Sequence, residues 1–167
     1  KSSAAGTPPA LDGQLMIDDA RPQMHCIQSG REIDLGGIGK GYALDAMANL
    51  CREWNIPAGL LSAGASTQLA YGNQPWEITL RGDQHKRPLT LKDRALSASG
   101  TAIQGSHIVG PSGDNATYPR SRAWVCTASA AIADAFSTAA LLATDLTALK
   151  QNDLEIFTES EAGIVCS

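Results

Sequence analysis

The chain has 167 residues, 43% of them hydrophobic and 18% charged, and carries a formal net charge of −4 at pH 7. This mixture is typical of one folded domain with a hydrophobic core. The acidic balance and the lack of a sustained basic stretch argue against nucleic acid or an anionic membrane as the main partner. No apolar run in the sequence is long enough to form a membrane-spanning segment.

The N-terminal residues 1–13 differ in composition from the rest of the chain. They are rich in Ser, Ala, Gly and Pro, which predicts a flexible lead-in that buries little apolar surface. Residues 14–167 are interpreted as a single domain. The first residue is Lys1 rather than Met, which is compatible with a processed or trimmed polypeptide.

The cysteines Cys26, Cys51, Cys126 and Cys166 are widely separated and form no CxxC pair. Their spacing therefore indicates neither a zinc site nor a thioredoxin-like redox motif. Buried free thiols and a disulfide bridge both remain open.

The predicted domain begins with short strands. Two apolar-containing runs, Gln14–Asp18 and Gln23–Gln28, are separated by a turn at residues 19–22 and predict a pair of strands. His25 lies in the second strand and is interpreted as an ordinary sheet residue. A turn at residues 29–30 then leads through Glu32–Leu35 into a glycine-rich segment.

This glycine-rich segment, DLGGIGKGYALD at residues 34–45, contains four glycines, a lysine and two carboxylates where a strand pattern gives way to a helix pattern. Glycine allows the backbone to approach a ligand closely. Together with the N–H groups at the start of the next helix, Lys40 predicts a phosphate-facing segment. The spacing fits neither the Walker pattern nor the dinucleotide fingerprint, so it identifies no particular nucleotide fold.

A first helix is predicted from Lys40 to Trp54. Its apolar residues recur at helical spacing and form one face of an amphipathic helix: Ala43, Met47, Leu50 and Trp54. The helix-breaking sequence NIPAG at residues 55–59 predicts its end.

Short strand patterns separated by turn residues fill most of the remaining chain. The predicted strands are Leu60–Ala63, Thr67–Tyr71, Trp76–Leu80, Leu89–Leu91, Ala95–Ala98, Arg122–Thr127, Leu154–Thr158 and Gly163–Cys166. Residues 72–75 are predicted to join two of them in a hairpin-like turn, and residues 81–87 to form a polar loop. A long turn-rich loop at residues 110–121 and a short helical piece at residues 146–152 complete the prediction.

A second helix is predicted over Ala128–Thr144. Its apolar face is formed by Ile132, Phe136 and Ala140. Asp134 and Thr138 lie four residues apart, so they share a face and can reach one ligand together. A carboxylate and a hydroxyl are hard oxygen ligands of the kind that Mg²⁺ or Ca²⁺ prefers, with help from backbone oxygens, waters or phosphates. A solvated pair of polar residues is the alternative.

Many short strands around two helices predict an α+β fold, with an antiparallel or mixed sheet packed against the two main helices. Three clusters of small residues recur at strand ends, at residues 36–41, 64–67 and 97–105. Taken singly, each is also an ordinary turn composition. His107 follows the third cluster and could act as a general base, position a phosphate, or be structural.

As an ordered set, these motifs resemble the ApbE family, the FAD:protein FMN transferases. DLGGIGKGYALD is similar to the family's DLGGIAKGYAVD-type segment, and LLSAGAS at residues 60–66 to its strand ending in a Gly-Gly-Asp turn. ALSASG at residues 95–100 and HIVGPSG at residues 107–113 resemble its TSG and His-Ile-Ile-Asp-Pro segments. VCTASAAIADAFSTAAL at residues 125–141 resembles its strand and helix carrying Ala-Asp-Ala-x-x-Thr. The resemblance runs from about residue 14 to the C-terminus.

The resemblance implies an ApbE-like, T-fold-like domain with a site for Mg²⁺ and FAD. It places the metal on Asp134, Thr138 and the backbone carbonyl of Gly39. The residues that it assigns to the FAD pyrophosphate are Gly36, Gly37, Gly39, Lys40, Gly41, Ser99 and Gly100. His107 matches the family's functionally important histidine and is the candidate catalytic residue.

The implied reaction transfers the FMN half of FAD to a threonine hydroxyl of an acceptor protein and releases AMP. FAD is then a substrate, Mg²⁺ a cofactor, and the macromolecular partner a protein carrying the flavinylated threonine. The metal would stabilise charge on the attacked phosphoryl group and on the leaving AMP. By resemblance alone, the protein is expected to be periplasmic or otherwise exported. The sequence indicates no oligomeric state.

The sequence also departs from the family pattern. Gly110 stands where the family has Asp, and the dipeptide at residues 65–66, Ala-Ser, replaces Gly-Asp. Family members are usually longer, and the N-terminal portion that completes the flavin site has no counterpart here, so the chain is interpreted as a shortened or divergent member. The alternative function is a non-catalytic, degenerate module of the same fold that binds flavin, a nucleotide or a partner protein.

Overall fold

The computed structural model describes residues 13–30, 33–100, 119–149 and 153–167. Two α-helices, ten strands and a short 3-10 helix at Thr147–Leu149 make up the described part. The helices are α1 (Gly39–Glu53) and α2 (Ala130–Leu142). The strands are β1 (Gln14–Asp18), β2 (Gln23–Gln28), β3 (Ala58–Ala63), β4 (Thr67–Gly72), β5 (Trp76–Arg81), β6 (Lys86–Leu91), β7 (Arg94–Gly100), β8 (Arg122–Thr127), β9 (Glu155–Ser160) and β10 (Gly163–Cys166).

The central element is a six-stranded sheet in the order β10-β9-β8-β7-β4-β3. Each of its neighbouring strand pairs is antiparallel. Two further two-stranded sheets, β1-β2 and β5-β6, are also antiparallel. The predicted α+β class is therefore confirmed, and its sheets are antiparallel in every described pairing.

The two helices pack on one face of the central sheet and against each other. Because successive side chains of a strand point to opposite faces, β4 places Leu69 under the helices and Ala70 on the other side. The helix-side core joins Leu44 of α1 to Ala133 of α2. Farther along α2, Leu141 packs against β8 and β9. The two helices are thus held in one fixed relation to the strands.

The opposite face of the sheet is covered by the β5-β6 hairpin. Leu80 and Leu91 of this hairpin are fully buried against Trp124 and Phe157 of the central sheet. The four-residue connection between β5 and β6 is anchored from the sheet by Glu159, whose carboxylate accepts backbone N–H bonds from Asp83, Gln84 and His85 at 2.6–3.0 Å. The helix side and the hairpin side therefore form two separate cores around one sheet.

The bounds of the helices and of most strands agree with the predictions, but two connections were predicted wrongly. Residues 72–75 do not close a hairpin, because β4 pairs with β3 and β7 whereas β5 pairs with β6. The polar loop predicted over residues 81–87 is shorter, because β5 continues to Arg81 and β6 begins at Lys86. Both errors concern strand pairing. Which strands pair, and in which register, depends on the burial of side chains that are far apart in the sequence.

The apolar face predicted for α1 is not the face that packs on the sheet. Leu50 and Trp54 are 48% and 72% exposed, whereas the buried residues of the helix are Gly41, Leu44 and Ala48. The buried face is narrow and made of smaller side chains because α1 approaches α2 closely there. Apart from Ile132 and Val165, every large hydrophobic side chain exposed in the described residues lies between positions 16 and 56.

The second helix begins and ends inside its predicted range, and its buried face includes Asp134, Ser137 and Ala140. Ile132, predicted on the apolar face, is 42% exposed. No helix in the described ranges is long and apolar enough to cross a membrane. The cysteines are free thiols; Cys126 is buried, and burial raises its pKa to about 11.

Candidate functional site

The most unusual side chain in the described structure is Asp134, a carboxylate on α2 that is only 2% exposed. Burying a carboxylate is costly unless it is paired and hydrogen-bonded. Lys40 supplies the opposite charge, with Nζ 3.1 Å from Oδ1. The backbone N–H of Gly41 donates to Oδ2 at 3.1 Å, and the hydroxyls of Thr67 and Ser97 donate to Oδ1 at 3.3 and 3.2 Å.

These donors come from three distant parts of the sequence. Lys40 and Gly41 belong to the glycine-rich segment, Thr67 opens β4, and Ser97 lies in β7. Thr67 and Ser97 are paired residues of neighbouring strands, and their hydroxyl oxygens are 3.0 Å apart. Each of the three small-residue clusters found in the sequence therefore contributes a donor to one carboxylate, and turn formation alone does not explain them.

A second group of hydroxyls extends from Asp134 toward the end of β7. Ser99 Oγ lies 2.9 Å from Ser137 Oγ and 3.1 Å from Thr138 Oγ1. Ser137 Oγ also donates to the backbone carbonyl of Asp134 at 2.9 Å. The site is therefore a patch of hard oxygen atoms arranged around one buried carboxylate.

The glycine-rich segment forms the outer wall of this patch. The Asp34 carboxylate accepts the N–H of Gly36 at 2.8 Å and so holds the turn before α1. A Cβ placed on Gly37 would meet Thr138 Oγ1 at 3.9 Å, which puts the segment directly beside that hydroxyl. Lys40 Nζ is also 3.4 Å from the Gly36 carbonyl, so the ammonium bridges the turn and Asp134.

Gly41 lies where α1 and α2 are nearest to each other. A Cβ at this position would lie 2.6 Å from Cα of Ala131 and nearer still to the carbonyl of Ala130. Its N–H is already donated to Asp134. The missing side chain of Gly41 thus serves the contact between the helices, and its prediction as a cofactor-binding residue remains a prediction.

The second carboxylate of the glycine-rich segment has a structural role that the sequence did not suggest. Asp45 accepts the N–H groups of Ala130 and Ala131 at 2.9 and 3.0 Å and the Ser129 hydroxyl at 2.8 Å. It therefore caps the N-terminus of α2, and Ser129 completes the cap by accepting the N–H of Ile132 at 3.3 Å. The first backbone N–H groups of α2 are therefore already bonded to protein oxygen atoms.

A depression beside this cap does not coincide with the patch of oxygen atoms around Asp134. It has a volume of about 290 Å³ and is lined in part by Asp45, Arg52 and Asp93. Asp93 accepts bonds from Arg52 at 3.4 Å and from the Gly72 N–H at 3.2 Å, and Asp45 is engaged by α2. Because these carboxylates are committed to structural bonds, we assign the site to the Asp134 patch instead.

The structure places most of the predicted site residues in one region. Gly39 is the first residue of α1, and its N–H donates to the Leu35 carbonyl at 2.7 Å. Ser99 and Gly100 are the last two residues of β7. The Ser99 hydroxyl lies next to that of Thr138 on α2. The predicted catalytic residue His107 lies outside the described residues, as does Gly110. Sequence reasoning missed Thr67, Ser97 and Ser137, although the first two lie in clusters that it had noted.

The oxygen atoms of this patch fit Mg²⁺ better than a softer metal. Among the described residues, no group of three or more His, Cys, Asp or Glu side chains could hold a metal on its own. Mg²⁺ commonly takes one or two carboxylates and completes its octahedron with waters and phosphate oxygens. Asp134, Thr138 and the backbone carbonyl of Gly39 therefore remain the predicted ligands, and the structure places the first two on α2 within the same group of oxygen atoms.

Comparison with known proteins identifies the family and the fold. The profile of the ApbE family matches residues 8–157. The fold is similar to an ApbE protein from Thermotoga maritima, with 25% identity and a TM-score of 0.75 over 92% of this chain and 56% of that one. It is also similar to the apo flavinyl transferase ApbE of Pseudomonas stutzeri, with 22% identity and a TM-score of 0.74 over 92% of this chain and 52% of that one.

A third similar structure is the flavin transferase ApbE of Vibrio cholerae, with 20% identity and a TM-score of 0.73 over 92% of this chain and 55% of that one. The chain thus spans about half the length of the solved structures that it matches. The comparison with curated proteins found no match.

Proposed function

The chain belongs to the ApbE family, and from that premise we propose that it acts as a Mg²⁺-dependent flavin transferase. In this reaction the threonine hydroxyl of an acceptor protein attacks the FMN-side phosphorus of FAD. The bond from that phosphorus to the bridging oxygen breaks, AMP leaves with the bridging oxygen, and the hydroxyl proton passes to a base. The observation that carries the proposal is the buried carboxylate of Asp134, which converges with a lysine and several hydroxyls at the glycine-rich segment.

Each group of the site has a defined part in this proposal. Asp134, Thr138 and the carbonyl of Gly39 would hold Mg²⁺, which when bound supplies charge stabilisation at the diphosphate. The glycine turn would let the diphosphate approach Thr138, because Gly37 has no side chain and even an added Cβ would come no nearer than 3.9 Å to the Thr138 hydroxyl. The ammonium of Lys40 lies next to this space and would contact a phosphate oxygen. We assign the base to His107.

The hydroxyls of Thr67 and Ser97 position the Asp134 carboxylate. Both side chains are fully buried, so they cannot rotate into solvent, and both donate to Oδ1. The Gly41 N–H fixes the other oxygen. A carboxylate held by several donors keeps its orientation whether or not a cation is present, which is what a preorganised ligand requires.

The test is to incubate the purified protein with FAD, Mg²⁺ and a threonine-containing acceptor peptide. AMP release is measured by chromatography and flavin attachment by the mass of the peptide. Asp134→Asn and Thr138→Ala are expected to lose both products, whereas the matched control Thr147→Ala retains them, because Thr147 lies in the 3-10 helix and its hydroxyl bonds to Asp145. Wild-type activity that persists in excess chelator, or an Asp134→Asn variant with full activity, would refute the proposal.

A second candidate is a flavin- or nucleotide-binding module without transfer activity. It is favoured by the small number of carboxylates at the site: Asp134 is the one that the described residues bring to the patch, and residues 65–66 end the β3–β4 turn with Ala-Ser where the family has Gly-Asp. FAD binding that depends on Asp134 but yields no AMP and no modified peptide would support this candidate over the transferase.

A further inference from the structure

The ion pair between Lys40 and Asp134 joins two side chains of very different accessibility. The Asp134 side chain is 3% exposed and the Lys40 side chain 40% exposed, with Nζ and Oδ1 3.1 Å apart. The remaining donors to this carboxylate are neutral: the Gly41 N–H and two buried hydroxyls. In the described structure, Lys40 is thus the cation that balances the charge of Asp134.

The neutral donors make the position of the carboxylate independent of the lysine. The Gly41 N–H, Thr67 and Ser97 come from rigid elements and are buried or at a helix contact. Lys40 reaches the carboxylate through a flexible, half-exposed aliphatic stem. If its ammonium leaves, the carboxylate keeps its place and its orientation but loses its counter-charge.

A metal on Asp134 and the ammonium on Oδ1 would be two cations within a few ångströms in a poorly solvated place. Their repulsion is strong there, because the effective dielectric constant is well below that of water. The ammonium has another acceptor within reach, the Gly36 carbonyl at 3.4 Å, on the side of the glycine turn. A metal and the ammonium would therefore compete for this carboxylate.

We propose that Lys40 occupies the cation position of Asp134 in the ligand-free protein, and that a divalent metal displaces it toward the glycine turn, where it meets the diphosphate. The inference rests on the proposed function for the identity of the diphosphate, but the exchange itself concerns only the metal and these two side chains. With metal alone, the displaced ammonium finds only the neutral Gly36 carbonyl and water as partners. Metal with a diphosphate gives the ammonium a new anionic partner, so the two ligands bind cooperatively.

The exchange is tested by Mn²⁺ binding, followed by electron paramagnetic resonance and calorimetry, in the absence and presence of ADP. Without nucleotide, Lys40→Met is expected to bind Mn²⁺ on the order of tenfold more tightly than the wild type, because no ammonium has to be displaced. With ADP the gain is expected to shrink or reverse, because the displaced ammonium no longer contributes to phosphate binding. Lys92→Met, on an exposed turn residue, is the matched control and should bind Mn²⁺ like the wild type.

A second variant keeps the positive charge and guards against a folding artefact. In Lys40→Arg, a guanidinium that binds the carboxylate with two donors is expected to lower the Mn²⁺ affinity below that of the wild type. Circular dichroism checks that both variants are folded. Equal or weaker Mn²⁺ binding by Lys40→Met without nucleotide, or no Mn²⁺ binding by any variant, would overturn the exchange.

The outcome is separable from that of the transferase proposal. If Lys40→Met tightens Mn²⁺ binding while the wild type releases no AMP from FAD, the exchange stands and the transfer reaction falls. If AMP is released but the lysine variants bind Mn²⁺ like the wild type, the reaction stands and the exchange falls.

Discussion

Replacing Gly41 by alanine sets two physical effects against each other. In the interior of a helix, alanine is favoured over glycine by about 1 kcal/mol, so helix propensity alone predicts stabilisation. The structure predicts the opposite, because the added Cβ would lie 2.6 Å from Cα of Ala131 and closer still to the carbonyl of Ala130. Both are backbone atoms of α2 and cannot rotate away.

The size of the loss follows from these contacts. Overpacking costs about 1–3 kcal/mol, and a clash with backbone lies at the upper end of that range. Subtracting the propensity gain leaves a net destabilisation of about 2 kcal/mol. For a domain of this length it corresponds to a fall in melting temperature of roughly 4–8 °C. Separation of the helices would also lengthen the bond from the Gly41 N–H to Asp134 and the bonds from α2 to Asp45.

The assay is chemical and thermal denaturation of the wild type, Gly41→Ala and the matched control Gly39→Ala. In the control, a Cβ on Gly39 would meet its nearest neighbour, Cβ of Leu35, at an ordinary 3.6 Å. Gly39→Ala is therefore expected to be neutral or slightly stabilising. If Gly41→Ala proves as stable as the wild type, the close approach of α1 to α2 is wrong, and so is the reasoning on the buried face of α1.

Three further predictions concern the packing and the electrostatics of the fold. On α1, Leu44→Ala is expected to lower the free energy of unfolding by about 2–5 kcal/mol, because Leu44 is 2% exposed. Met47, which is 49% exposed, should tolerate alanine with a change of less than about 1 kcal/mol. Comparable losses for the two variants in urea denaturation would mean that the buried face of α1 has been assigned wrongly. At the N-terminus of α2, Asp45→Ala is expected to cost about 1–2 kcal/mol and to speed amide hydrogen exchange at Ala130, because the helix loses its cap; unchanged exchange there would count against the cap. The Glu159 carboxyl has its pKa lowered from 4.5 to about 2, first by the N–H groups of residues 83 and 84. Its contribution to the free energy of unfolding is therefore complete above the unfolded pKa and declines as the pH falls toward 2. The stability curves of the wild type and Glu159→Gln should converge over that range, and a constant gap between them would contradict the assignment.

The sequence by itself determined the elements of this protein and the family to which it belongs. Helical spacing located α1 to within a residue at each end, and β8 and β10 begin and end where they were predicted. These features are local, because a helix or strand repeats over a few residues. The spacing of Asp134 and Thr138 likewise placed both on α2 and toward one region, since residues four apart share a helix face.

Strand pairing and the buried side of α1 were decided only by the tertiary structure. The widest apolar stripe of α1 was the natural prediction for the packed face, but close approach to α2 at Gly41 requires small residues, and the stripe that includes Trp54 is left exposed. In the same way, the sequence suggested a hairpin at residues 72–75, whereas burial on the two sides of the sheet pairs β4 with β7 and β5 with β6.

The candidate site shows the same division. The sequence indicated three clusters of small residues and two carboxylates in the glycine-rich segment, without saying what they contact. Only the folded chain brings Lys40, Thr67 and Ser97 to Asp134, and sends Asp45 to the start of α2 instead. The physical reason is that the donors to Asp134 are separated by dozens of residues in the sequence. They meet only through the register of β4 with β7 and the crossing of the two helices, and a local pattern of residues predicts neither the register nor the crossing.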